Sequence, residues 1–137
     1  VHGNEPGHHI PYLYNWTGNP EKTQERVRMI VETMYGPGVE GLCGNDDAGQ
    51  MSAWNIFSSL GFYPVCPGSS TYAIGSPAVT NARVKLAEGA FFEIETENQS
   101  DSSYLVQEVL LNGVPLEDWT LKHADIKDGA VLKFIMK

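Results

Sequence analysis

The chain has 137 residues, 42% of them hydrophobic and 19% charged, with a formal net charge of −8 and a pI near 4.8. That length supports one ordinary domain with a true core, and no run approaches the roughly 20 apolar residues of a membrane-spanning helix. The acidic balance argues against nucleic acid or an anionic membrane surface as partner and suits neutral or cationic ligands.

Cys43 and Cys66 have no metal-type spacing. They read as free thiols, with a disulfide between them the alternative for an exported protein. Val1 is not an initiator residue, so the chain reads as part of something larger, and the lack of a leader says nothing about export.

Residues 8–16 read as a short helix or turn, with Pro11 tolerated only in its first turn. A clear helix follows. Asn19 is an N-cap candidate, Pro20 suits the first helical position, and Val27, Ile30, Val31 and Met34 repeat at helical spacing. Gly36 and Pro37 stop it. A second helix is expected over residues 50–60, where Met51, Trp54, Phe57 and Leu60 share a face and Gly61 terminates.

Pro64 and Pro67 force an extended connection, and the composition changes there from helical to β-type. Strands are expected at residues 71–74, 82–86, 91–96, 104–111 and 130–135, with a weaker one near 120–123. Asn112-Gly113 is the strongest hairpin signal, because both residues accept positive φ. Phe92 and Ile94 alternate with Glu93 and Glu95, as a strand with one wet face should. The second half thus reads as a small antiparallel sandwich.

Two polar stretches could carry chemistry. In residues 41–50, Asp46 and Asp47 stand between glycines at the entry to the second helix. The plain reading is capping, since helix N-termini favour carboxylates. Two close carboxylates in a cleft would also raise affinity for a proton or cation, which is how a general base is tuned and a metal attracted. In residues 2–10, Glu5 precedes Pro6 and is held out of a helix. Beside Asn4 it offers hard oxygen ligands suited to calcium more than zinc, or else it is simply a solvated loop residue. Adjacent His8 and His9 point about 100° apart on a regular helix and do not easily clamp one ion. A zinc site from His2, Glu5 and His8 is the weaker alternative.

Residues 2–6 (His-Gly-Asn-Glu-Pro), 8–15 (His-His-Ile-Pro-Tyr-Leu-Tyr-Asn), 44–54 (Gly-Asn-Asp-Asp-Ala-Gly-Gln-Met-Ser-Ala-Trp) and 60–65 (Leu-Gly-Phe-Tyr-Pro-Val) closely resemble glycoside hydrolase family 92. Residues 72–77 and 111–113 extend the resemblance over the whole chain. These are exo-acting α-mannosidases, typically α-1,2-mannosidases of bacteria. The resemblance implies a calcium-dependent, inverting hydrolase acting on terminal mannose of mannose-containing glycans. It implies an α+β fold: residues 1–63 as terminal helices and active-site loops of an (α/α)6 catalytic barrel, and residues 64–137 as an antiparallel β-sandwich-like region.

Carried onto this sequence, the resemblance makes Glu5 a Ca2+ ligand and Asp47 the general base, with Asp46 or Asn45 in support. Asn4, His8, His9 and Asn45 fall in the mannose-binding shell. The family's general acid lies upstream of the His-Gly-Asn-Glu-Pro block, and no spare glutamate precedes Glu5 here. The expectation is therefore a C-terminal fragment of a mannosidase, inactive alone. Its partners are the rest of the parent chain or a second copy, and its place is periplasmic, cell-surface or secreted in a bacterium. Stripes such as Val27/Ile30/Met34 or Trp54/Phe57 must be covered by the sandwich or by another chain. The rival readings are a non-catalytic carbohydrate-binding module and a structural domain, neither of which gives a reason for carboxylates in glycine-framed loops. Asn15-Trp16-Thr17 and Asn98-Gln99-Ser100 match glycosylation sequons, which a bacterial origin would leave unused.

Overall fold

The computed structural model describes residues 2–137. A single 3₁₀ turn at Glu5–Gly7 leads into an eight-residue 3₁₀ helix, Ile10–Thr17. Helices α1 (Pro20–Met34) and α2 (Gln50–Leu60) follow. The rest is β: β1 Phe62–Tyr63, β2 Thr71–Ile74, β3 Asn81–Lys85, β4 Phe91–Glu97, β5 Val106–Leu111, β6 Val114–Pro115, β7 Thr120–Lys122 and β8 Ala130–Met136.

The 3₁₀ helix exceeds the three or four residues usual for this form, and its two faces explain why it persists. Side chains three apart eclipse in a 3₁₀ helix. Tyr12 and Asn15 accordingly share the inner face: the Tyr12 hydroxyl meets Ser58 Oγ of α2 at 2.8 Å, and Asn15 Nδ2 donates to the Ile74 carbonyl of β2 at 2.8 Å. Ile10, Leu13 and Trp16 line the outer face, and all three are exposed, Trp16 by 60%.

Pro20 opens α1 as expected. Gly61, at φ 98°, closes α2 in the left-handed conformation and returns its N–H to the Phe57 and Ser58 carbonyls. The stripe Val27/Ile30 meets Trp54, Tyr12, Tyr63 and Ala73 in one core. The helical faces thus find their cover within the chain.

Polar groups tie α1 to the β region as well. Gln24 Oε1 accepts the Val106 N–H of β5 at 2.9 Å, and buried Arg28 donates to the carbonyls of Pro77 and Ser103. Satisfying buried backbone groups in this way fixes the helix in one position, because leaving them unpaired costs about 1–3 kcal/mol each.

Two sheets face each other across a second core. One is three-stranded, in the order β1-β2-β7; the other is five-stranded, in the order β3-β4-β8-β5-β6. Phe62, Ile74 and Leu121 from the first meet Phe92, Ile94, Leu132 and Phe134 from the second. Phe57 of α2 packs against both cores. Asn112 (φ 50°) and Gly113 (φ 81°) make the β5–β6 hairpin turn as their sequence predicts.

Two expectations need correction. The larger sheet is mixed, not antiparallel: β4 and β8 run parallel, with Ile94 opposite Leu132. The chain between them passes through β5, β6 and β7, so β8 returns in β4's direction and inserts between β4 and β5. Short hairpin turns in the sequence reveal local pairing, whereas this pairing closes over a long connection. Second, the described residues contain two α-helices, and an (α/α)6 barrel is not evident among them. The extended connection through Pro64 and Pro67, expected over residues 62–70, begins with β1, which pairs with β2 at Phe62–Ile74 and Tyr63–Ala73. Cys43 and Cys66 are free and exposed.

Candidate active site

The two polar stretches meet. An ideal Cβ on Gly44 would lie 2.3 Å from the Gly3 carbonyl oxygen, and one on Gly3 would lie 2.8 Å from the Cys43 carbonyl oxygen. Such separations are closer than any side chain tolerates, so the loops bearing Glu5 and Asp47 can touch only because both positions are glycine. Gly41, upstream, is packed equally tightly: its Cβ would meet the Gly36 carbonyl oxygen at 2.0 Å.

Each carboxylate sits on a defined turn. Asn4 is extended (φ −148°); Glu5, expected outside a helix because it precedes Pro6, is instead the first residue of the 3₁₀ turn, and the His8 N–H closes on its carbonyl at 3.0 Å. On the other loop, Asp46 does the capping. Its Oδ1 accepts the Ser52 N–H at 2.8 Å, and its carbonyl accepts from Gly49 and Met51 at 3.1 and 3.3 Å. Between these bonds the chain makes a left-handed passage through Asp47 (φ 43°), Ala48 (φ 60°) and Gly49 (φ 92°). Non-glycine residues at positive φ cost on the order of 1–3 kcal/mol each and cluster at functional sites. Here the strain falls on Asp47 itself.

The result is two carboxyls in contact. Glu5 is held below the usual carboxylate range, first by hydrogen bonding with the Asp47 carboxyl and then by its own turn's backbone. Asp47 is pushed above that range, first by the same hydrogen bond and then by the Glu5 charge. The two shifts have opposite signs, so as pH rises Glu5 ionises first and Asp47, the more basic of the two, second. Asp47, Asn45 and Asn4 are exposed, and Glu5, His9 and Asp46 are half-buried.

Behind the carboxylates lies a layer of aromatic and polar side chains. His2 and His8 are 5% and 1% exposed, and their rings stack at 4.7 Å. His2 Nε2 lies 2.7 Å from the Tyr35 hydroxyl, which donates to the Met51 carbonyl at 3.2 Å. His8 Nε2 donates to the His2 carbonyl at 3.1 Å, Trp54 Nε1 donates to the His8 carbonyl at 2.9 Å, and Gln50 Nε2 reaches both His8 Nδ1 (3.4 Å) and the Tyr63 hydroxyl (3.1 Å). Burial, followed by the neighbouring His8, lowers the His2 pKa from 6.5 to about 4.

The structure therefore brings the loop of Asn4 and Glu5 against the loop of Asn45, Asp46 and Asp47 and buries the His8 ring, while His9 is half-buried at the start of the Ile10–Thr17 helix. It gives no support to zinc at His2, Glu5 and His8, because no group of three His, Cys, Asp or Glu that could hold a metal occurs among the described residues. The facing carboxyls of Glu5 and Asp47 do offer the oxygen donors calcium takes, though calcium needs about six to eight.

Sequence reasoning missed Gln50, Tyr35 and Tyr63 and passed over the two glycines. One usable signal was present: Gln50 and Trp54 stand one helical turn apart and both reach His8.

Known structures with this arrangement are glycoside hydrolases. A family GH92 α-mannosidase of Bacteroides thetaiotaomicron superposes with a TM-score of 0.95 and 44% identity, over 99% of this chain and 18% of its own. An inverting mannosidase of the same family and organism superposes with a TM-score of 0.90 and 40% identity, over 98% and 18%. A secreted glycosidase of Arthroderma benhamiae, itself uncharacterised, is 27% identical over 98% of this chain and 18% of its own length. The model of the glycosyl hydrolase family 92 catalytic domain matches residues 1–137. The chain belongs to glycosyl hydrolase family 92, and it spans about 18% of the length of these relatives.

Proposed function

We propose that this chain is the C-terminal part of an exo-acting, inverting α-mannosidase with α-1,2 preference, and that it supplies the base side of the active site. The observation that carries this reading is the Glu5–Asp47 carboxyl pair on two glycine-locked loops. Its context supports it: solved relatives are α-mannosidases, and one was captured with mannoimidazole.

In this mechanism Asp47 accepts a proton from water as the water oxygen bonds to the anomeric carbon. The glycosidic C–O bond breaks on the opposite face, and the leaving oxygen takes a proton from a carboxylic acid elsewhere in the parent protein. An inverting pair stands roughly 6.5–9.5 Å apart, with the water between. Asp46 supports the base by anchoring its turn to α2. Asn4 and Asn45, exposed on the two loops, and half-exposed His9 would hydrogen-bond the sugar, while His8 holds the Glu5 turn through its backbone N–H. Glu5 would hold Ca2+, which would supply positive charge to the sugar hydroxyls.

The acid is proposed to lie upstream in the parent protein, so the chain is proposed to be inactive alone. Its exposed ridge of Ile10, Leu13 and Trp16 is then a face for the remainder of the parent or for a second copy. A periplasmic, cell-surface or secreted bacterial setting fits a glycan substrate.

The test is hydrolysis of α-1,2-mannobiose by the intact parent protein, with anomeric configuration followed by NMR. The reading expects β-mannose as first product and loss of turnover after calcium chelation. Glycan binding without turnover, unaffected by chelation, would instead identify a binding module.

A further inference from the structure

We propose that Gln50 is a positioning residue: its side-chain amide joins the loop carrying Glu5 to the turn carrying Asp47 by holding His8 in one tautomer. The inference rests on the mannosidase reading for its kinetic part and on geometry alone for its structural part.

The hydrogen-bond chemistry is determined by the partners. The His2 carbonyl only accepts, so His8 Nε2, 3.1 Å away, must carry a hydrogen. A neutral imidazole with Nε2–H presents a lone pair at Nδ1. The Gln50 amide supplies the matching donor, with one N–H directed to His8 Nδ1 and the other to the Tyr63 hydroxyl. His8 is 1% exposed, so water offers no substitute for either bond.

Position makes the bond consequential. His8 ends the turn of Glu5, its N–H bonded to the Glu5 carbonyl; Gln50 ends the left-handed passage of Asp47, its N–H bonded to the Asp47 carbonyl at 3.4 Å. The His8–Gln50 contact is therefore a side-chain bridge between the two carboxylate-bearing turns, in addition to the Gly3–Gly44 backbone contact. Together the two contacts hold the Glu5 and Asp47 loops against each other. A misplacement of about 1 Å in such a pair can cost on the order of 10²-fold in rate.

The experiment compares Gln50→Met and Gln50→Glu in the intact parent protein. Methionine keeps the volume and removes the bridge; glutamate keeps volume and shape but sets an acceptor against the Nδ1 lone pair. The expected result is a tenfold or greater fall in kcat for both variants with KM changed less than threefold, Gln50→Glu being the worse. Ring nitrogen NMR of selectively labelled protein should show His8 with Nε2–H and an unprotonated Nδ1 in the wild type, and lose that signature in Gln50→Glu by protonation of Nδ1.

Unchanged kcat in both variants, or a fall in kcat with the His8 signature intact, overturns the proposal. Should neither variant fold, Tyr63→Phe removes only the hydroxyl that orients the amide. A threefold fall in kcat supports the bridge, and wild-type kinetics refute it. Should the wild type release no mannose, the functional reading fails, while the His8 signature still decides the bridge.

Discussion

Gly44 crosses Gly3 so closely that its missing Cβ would stand 2.3 Å from the Gly3 carbonyl oxygen. This crossing, between residues 41 apart in sequence, sets Glu5 against Asp47. Backbone cannot yield as the end of a flexible side chain can, so Gly44→Ala must part the loops. We expect about 1–3 kcal/mol of destabilisation, the usual cost of overpacking, and a fall in mannosidase kcat of about 10²-fold. Chemical denaturation and steady-state kinetics on the intact protein check both. A stable variant of normal activity would show the crossing to be incidental.

Asp46 and Asp47 are adjacent and chemically identical, yet their surroundings divide the work. Asp46 Oδ1 caps α2 at the Ser52 N–H, so Asp46→Ala should cost about 1 kcal/mol. Asp46→Asn keeps an acceptor oxygen and should keep both the melting temperature and more than a tenth of the activity. If asparagine there abolishes turnover in a fully stable protein, Asp46 is itself the base.

His2 gives the fold a pH dependence. Its folded pKa of about 4 lies below its unfolded value of 6.5, because burial and the adjacent His8 disfavour the charged ring. The unfolded chain therefore binds more protons in that interval. The contribution of neutral His2 is fully present above pH 6.5 and is lost as pH falls toward about 4. Urea midpoints at pH 7.5, 6 and 4.5 should fall more steeply for the wild type than for His2→Gln, which keeps a donor for Tyr35 without the titration. Parallel curves would mean that folding leaves the His2 pKa unshifted.

The local features of this protein are legible in its sequence. Pro20, Gly61 and Asn112-Gly113 announce their structures because each acts through its own backbone conformation. The two site stretches were visible as glycine-framed carboxylates, and the resemblance to family 92 joined them. Three things were not legible, all for the same reason. The parallel β4–β8 pairing, the Gly3–Gly44 crossing and the His8–Gln50–Tyr63 chain depend on segments distant in sequence. Period and propensity carry no information about such partners. Gln50 looks like any polar residue in a first helical turn until His8 is seen behind it.

The measurement that bears most directly on the central claim is single-turnover kinetics of Asp47→Asn in the intact protein, on a terminal α-1,2-mannoside with calcium present. The substitution keeps size and shape and removes the proton acceptor. A general base contributes about 10²–10⁴-fold, so the chemical step should slow by that factor while substrate binding and the melting temperature hold. Turnover within tenfold of the wild type would contradict the assignment of Asp47 as the group that activates water.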